Sequence, residues 1–142
     1  CIYDIIVLLQ PTSPLRKKEH VEKTIKKLVF ENFDSVWTIS ESDSKNHPLK
    51  QLKIDYDVLN HYEHGGEKIV SRQQLETLYY RNGVAYSMTR EYLQSYKRTE
   101  DKTMQALPVK EFRVGYILID EPVVNIDSQW EFKYAEFLLN QR

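Results

Sequence analysis

Leu8-Leu9-Gln10-Pro11-Thr12-Ser13-Pro14-Leu15-Arg16 is the stretch whose reading decides the fold. It closes an apolar run, Ile5 to Leu9, and precedes a helical pattern that starts near Lys17. Apolar runs of this length bounded by turn signals fit a strand buried on both faces, as in parallel α/β sheets. Two prolines end the strand, remove two backbone donors and press the residues before them toward extended geometry. A stiff polar loop at the strand's carboxyl end follows, and open α/β sheets bind ligands at that edge. Gln10 offers an amide there, Thr12 and Ser13 offer hydroxyls, and Arg16 offers a planar cationic fork. The set suits a polar, anionic small molecule. The alternative is a rigid strand-to-helix connection with Ser13 near the helix cap.

Around this stretch, 142 residues fit one domain with a real core. A net charge of -1 leaves no electrostatic footprint for nucleic acid. The lone Cys1 rules out an intrachain disulfide and fits a reducing compartment, and no apolar stretch reaches the length of a membrane span. A cytoplasmic protein is the expectation. The chain starts at Cys1 and enters a core strand at once, so further strands are expected before it.

In chain order, Tyr3 to Leu9 reads as a central strand. Val21, Ile25, Leu28 and Val29 form the apolar stripe of a helix over 17–30, with the lysines off that stripe as a solvated face. Val36, Trp37 and Ile39 suit a second buried strand, which completes a βαβ unit. From Ser42 to about Tyr80 the chain turns polar, and Leu52, Ile54, Tyr56 and Val58 recur with period two. That is the pattern of a half-exposed hairpin arm whose apolar side needs a partner. His61 and His64 lack the further ligands that structural zinc requires and read as a polar loop beside Gly65-Gly66. Asn82-Gly83 signals a turn before a short apolar strand, Val84 to Met88. Asn82 and Tyr86, four apart on a strand, would share a face, and Arg72 is the nearest cationic fork for a carboxylate or phosphate. The bland alternative makes Asn82 a turn residue and Tyr86 a core aromatic. Residues 89–97 suggest a short helix and Phe112 to Ile119 a buried strand. Ser128 and Glu131 then form a capping box before a stripe of Trp130, Tyr134, Phe137 and Leu138. Asp127 stands just before that helix, near the ligand edge.

The string LLQPTSPLR resembles the signature of the acylneuraminate cytidylyltransferases, the CMP-sialic acid synthetases and their relatives acting on other nine-carbon sugar acids. The resemblance implies a nucleotide-diphospho-sugar-transferase-like (Rossmann-like) three-layer α/β domain. It also implies transfer of CMP from CTP to a sialic-acid-type sugar acid, with Mg2+ as cofactor and pyrophosphate released. It covers only the later part of the family's domain. The glycine-rich loop that grips the CTP phosphates in the family has no counterpart among the four glycines present, so a truncated, inactive portion is expected.

By the same resemblance Gln10, and the Arg72, Asn82 and Tyr86 of the RQQ…NG…Tyr strip, contact the sugar acid. Residues 47–70 form a protruding dimerisation hairpin, and the Lys50 of HPLK reaches a neighbouring subunit's site in a homodimer. Asp127 is the catalytic metal ligand, with Asn125 where the family has a second aspartate. Other departures are Glu76 in place of a proline, and Tyr80 followed by Arg81 in place of an arginine two residues before Asn82. Met104 and Gln105 stand where the family places its acyl-group aromatics. A non-catalytic binding or oligomerisation domain of the same fold is the competing reading.

Overall fold

The computed structural model describes residues 3–95 and 112–141. They form strands β1 (Ile5–Leu8), β2 (Ser35–Glu41), β3 (Leu52–Asp55), β4 (Val58–His61), β5 (Tyr79–Thr89) and β6 (Val114–Leu118), and helices α1 (Lys18–Phe30), α2 (Arg90–Ser95) and α3 (Gln129–Leu139). The chain divides into two compact units, residues 1–39 with 81–142, and residues 40–80. Met104 and Gln105 lie outside the described residues.

The main sheet is mixed, in the order β1-β5-β2-β6. β1 runs antiparallel to β5, from Ile5 against Thr89 to Leu8 against Tyr86, and β2 runs parallel to β6, from Ser35 against Val114 to Ile39 against Leu118. This corrects the reading of Tyr3 to Leu9 as a central strand. β1 is an edge of the described sheet and only half-buried along its length. The doubly buried strands are β2 and the later part of β5. An apolar run records that a strand is covered but not which strand covers it. Here β5, some 70 residues downstream, inserts between the two strands of the expected βαβ unit.

Helix α1 forms as expected, yet the face it buries is His20, Thr24 and Leu28, while Val29 is exposed. The sheet beneath it explains the rotation, because that surface is lined with hydroxyls. Thr24 Oγ1 meets Ser87 Oγ at 2.7 Å, and Thr38 Oγ1 donates to the Ala85 carbonyl at 3.1 Å. Buried hydroxyls cost free energy unless bonded, so a polar helix face is the one that fits. A separate apolar cluster holds Trp37, Tyr86, Met88 and Tyr92, with Trp37 edge-on to Tyr86 at 6.0 Å.

Helix α3 begins at the expected cap: Ser128 Oγ donates to Glu131 Oε2 at 2.7 Å and accepts from the Glu131 amide. Its predicted stripe is corrected. Ala135 and half-buried Leu138 pack on Leu15, Val124 and Ile126, whereas Trp130, Tyr134 and Phe137 are exposed, the first two rings 5.3 Å apart and tilted by 34°.

In the second unit β3 and β4 make a hairpin closed by Tyr56 and Asp57, both with positive φ, the geometry of a two-residue primed turn. Leu52 opposes His61 and Ile54 opposes Leu59, so these four share one face. Asp55 opposes Val58 on the other. Val58 therefore leaves the expected period-two set, because the turn takes up Tyr56 and resets the alternation. Every residue of β3 and β4 is exposed.

Candidate functional site

The loop after β1 is held by its own polar groups. The Ser13 amide donates to the Gln10 carbonyl at 3.3 Å, and the buried Ser13 hydroxyl donates to the Gly83 carbonyl at 3.0 Å. Arg16 spans the loop: Nε donates to the Val84 carbonyl at 2.6 Å and Nη2 to the Gln10 carbonyl. The fork expected to meet an anion is thus turned inward and clamps the exit of β1 to β5. Burial draws its pKa below the ordinary arginine value, and it remains cationic.

Gly83 is where the site converges. Its φ is +77°, and a Cβ built on it would lie 2.3 Å from Gln10 Oε1, 3.2 Å from Ser13 Oγ and 3.4 Å from Asn125 Oδ1. The left-handed backbone favours a residue without a side chain here. Asn82 is buried, its Oδ1 accepting from the Val84 amide at 3.2 Å. The positive φ between Asn82 and Tyr86 interrupts the alternation on which a shared face rested. Tyr86 reaches the cluster through a hydrogen bond with the Gly83 backbone instead. Burial raises its phenol pKa, while the Arg81 charge and that hydrogen bond pull it back. Arg81 stands 5.3 Å over the Trp37 ring.

The loop after β6 supplies the third side. Thr12 Oγ1 donates to Asn125 Oδ1 at 2.6 Å, the Ile126 amide donates to the Thr12 carbonyl at 2.8 Å, and Asn125 Nδ2 donates to Asp127 Oδ2 at 2.9 Å. Gln10 Oε1 and Asn125 Oδ1, from two distant loops, therefore meet over Gly83, which lies between Asn82 and Tyr86 on β5, with exposed Asp127 joined through Asn125. Amides, hydroxyls and one carboxylate at a sheet's ligand edge can address a polyhydroxylated ligand.

A second tie between the same loops was not read from the sequence. Lys17 Nζ bonds Glu121 Oε2, and His20 Nε2 lies 2.6 Å from Glu121 Oε1. The Lys17 amide donates to His20 Nδ1 at 3.2 Å, which leaves the ring proton on Nε2, aimed at the carboxylate. The Lys17 ammonium, then His20, holds Glu121 below the usual glutamate range. Glu19, His20 and Glu121 are the one group among the described residues whose atoms converge as metal ligands could, and Lys17 already supplies its cation. His61, read as part of a polar loop, instead ends β4 opposite Leu52.

In the second unit Lys50 ends a short 3₁₀ turn and is exposed. Arg72, also exposed, opens another and lines a cleft of about 630 Å³ with Glu41, Asp43, His47 and Glu76. Backbone donation from Lys45 holds Asp43 below its ordinary pKa.

Magnesium favours charged oxygens in an octahedron. The loop after β6 offers Asp127, one of whose oxygens already accepts from Asn125. Glu131 is engaged by Ser128 Oγ and the Asp127 amide at 2.7 and 3.0 Å. The residues present do not amount to a divalent-cation site by themselves.

The fold and the cluster define an α/β chain with a polar ligand edge. Its relatives agree with the resemblance of LLQPTSPLR. The chain is similar to the N-acylneuraminate cytidylyltransferase of Streptococcus agalactiae serotype V, 29% identical over 91% of this chain and 31% of that protein. It is likewise similar to that of serotype III, 30% identical over the same shares. The chain thus spans about a third of the length of the curated relatives it matches. No family model matches it. No described helix is long and apolar enough to cross a membrane.

Proposed function

We propose that the chain is the sugar-acid-binding portion of a cytidylyltransferase of the nucleotide-diphospho-sugar-transferase-like fold. The whole protein would transfer CMP from CTP to a nine-carbon sialic-acid-type sugar acid. The observation that carries this reading is the meeting of Gln10 and Asn125 over Gly83, between Asn82 and Tyr86 on β5. In the reaction the anomeric hydroxyl oxygen bonds to the α-phosphorus of CTP and the bond to the pyrophosphate oxygen breaks. The hydroxyl proton passes to solvent. Such transfers depend on positioning and charge stabilisation more than on covalent help from the protein. Gln10 and Asn82 orient the sugar's hydroxyl and carboxyl groups, and the Tyr86 phenol closes the same side. Arg72 and Lys50 are proposed as further contacts on the RQQ and HPLK strings, Lys50 in a homodimer. Asp127 is the proposed catalytic carboxylate. The 142-residue chain alone is proposed to be inactive.

The test is a titration of the isotope-labelled chain with N-acetylneuraminate, followed by amide shifts. Shifts centred on Gln10, Gly83, Tyr86 and Asn125, lost in Gln10→Ala, support the reading. Saturating sugar acid without shifts at these residues overturns it. A non-catalytic binding domain is the second reading, favoured by the amide at position 125, and sugar-acid binding by a full-length protein that releases no pyrophosphate would select it.

A further inference from the structure

We infer that Asn125 takes the place of a cation in this loop, so that the Asn125–Asp127 pair binds no divalent ion of its own. The inference rests on the hydrogen bonding of one amide and stands apart from the identity of the sugar. Asn125 Nδ2 lies 2.9 Å from Asp127 Oδ2. Only the nitrogen end of an amide can face a carboxylate oxygen at that distance without a cation between them, so the amide's orientation is fixed. With the nitrogen so placed, Oδ1 must face Thr12, whose hydroxyl donates to it at 2.6 Å. Both ends of the side chain are occupied. Oδ1 keeps one lone pair beside its bond to Thr12, but it faces away from Asp127, which meets the nitrogen end, and turning the amide over sets oxygen against Asp127.

Turning away is obstructed as well. The Ile126 amide is tied to the Thr12 carbonyl at 2.8 Å, which fixes the backbone beside Asn125. The neighbouring carboxylates are satisfied by the protein in the same manner. Glu121 is held by Lys17 and His20, and Glu131 by Ser128 and the Asp127 amide. Two adjacent carboxylates repel and are relieved by a cation. Here Asp127 faces an N–H donor, and there is no pair to relieve.

The experiment follows Mn2+-induced broadening of amide signals in the 142-residue chain, with calorimetric titration of Mg2+ alongside. The wild-type chain is expected to show no selective broadening at residues 125–128 at millimolar free Mn2+. Asn125→Asp is expected to gain it, binding the ion about tenfold more tightly or better. Wild-type broadening at 125–128 that Asp127→Asn removes overturns the inference. Broadening that survives Asp127→Asn belongs to another part of the surface and leaves the inference standing. A folded Asn125→Asp chain that gains no binding overturns it too, since the amide would then not be what excludes the ion. Should Asn125→Asp fail to fold, the wild-type and Asp127→Asn comparison decides alone. Sugar-acid binding is not read by these measurements, so the two proposals fail separately.

Discussion

The loop at 10–16 and the hairpin at 52–61 are both polar, turn-bounded stretches, and they differ in where their bonds end. In the loop, Gln10, Thr12, Ser13 and Arg16 bond to β5 and to the loop after β6, residues 68 to 113 positions away along the chain, or within the loop itself. In the hairpin the ladder is internal, and Leu52, Ile54 and Leu59 are left 53%, 76% and 65% exposed on one face. The first region is fixed by long-range polar bonds and needs nothing more. The second has a backbone in order and an apolar face still uncovered. Rigidity at the candidate site thus comes from side chains that a ligand reading would have assigned to the ligand.

The largest effect should come from Gly83→Ala. A left-handed residue gains a methyl group 3.2 Å from the buried Ser13 Oγ, which is bonded to the Gly83 carbonyl, while the flexible Gln10 amide moves aside, at a cost of about 2–3 kcal/mol. Urea unfolding checks this, and an unchanged midpoint would mean the loop is not locked against β5.

Arg16→Ala should follow. Its loss leaves the Val84 and Gln10 carbonyls without a charged donor and costs about 2 kcal/mol. Arg16→Lys should recover only part of that, because an ammonium cannot span both carbonyls as the fork does. Full recovery by lysine would reduce Arg16 to a simple charge.

Smaller still is the acid response of the Lys17–His20–Glu121 tie. Glu121 has a lowered folded pKa, so its contribution is present above the ordinary glutamate value. That contribution is lost as pH falls through the lowered one. In Glu121→Gln the fall of stability below about pH 4.5 should be shallower than in the wild type, by less than about 1 kcal/mol for so exposed a pair. Parallel profiles of melting temperature against pH would show that the tie carries no stability.

The smallest change is expected at the hairpin. Ile54→Lys should leave the unfolding of the chain within about 0.5 kcal/mol of wild type, as for any exposed position. The same variant sharpens the comparison in another way. If the apolar face meets a second copy, as proposed, light scattering should show wild-type dimers and variant monomers. Monomers in both would leave the face without that partner.

Local chemistry marked two boundaries, since prolines follow β1 and Ser128 with Glu131 starts α3, but Asn82-Gly83 is no turn: β5 runs through it from Tyr79 to Thr89, with Gly83 taking a positive φ inside the strand. Gln10, Asn82, Tyr86 and Asn125 were named from that chemistry and from the family strings, and of these the Gln10 and Asn125 side chains meet over Gly83. The inward turn of Arg16 was not legible, since a guanidinium seeks carbonyls and anions alike and the carbonyls lie on a strand 68 residues away. Nor was the place of β5, because an apolar run is the same at an edge as at a centre. The buried face of α1 was missed because hydroxyls on the sheet favour His20 and Thr24 over Val29. Periodicity ranks the faces of a helix, but the surface opposite chooses among them.

The two tryptophans give this molecule a built-in optical contrast. Trp37 is 7% exposed, edge-on to Tyr86 and beneath Arg81, while Trp130 is 67% exposed on α3. Iodide in solution should quench the red-shifted emission of Trp130 and leave the blue emission of Trp37. Under that quencher the remaining fluorescence comes from a ring touching one of the proposed ligand contacts. Occupancy of the site is then visible in the intensity and wavelength of Trp37 alone, in unlabelled protein.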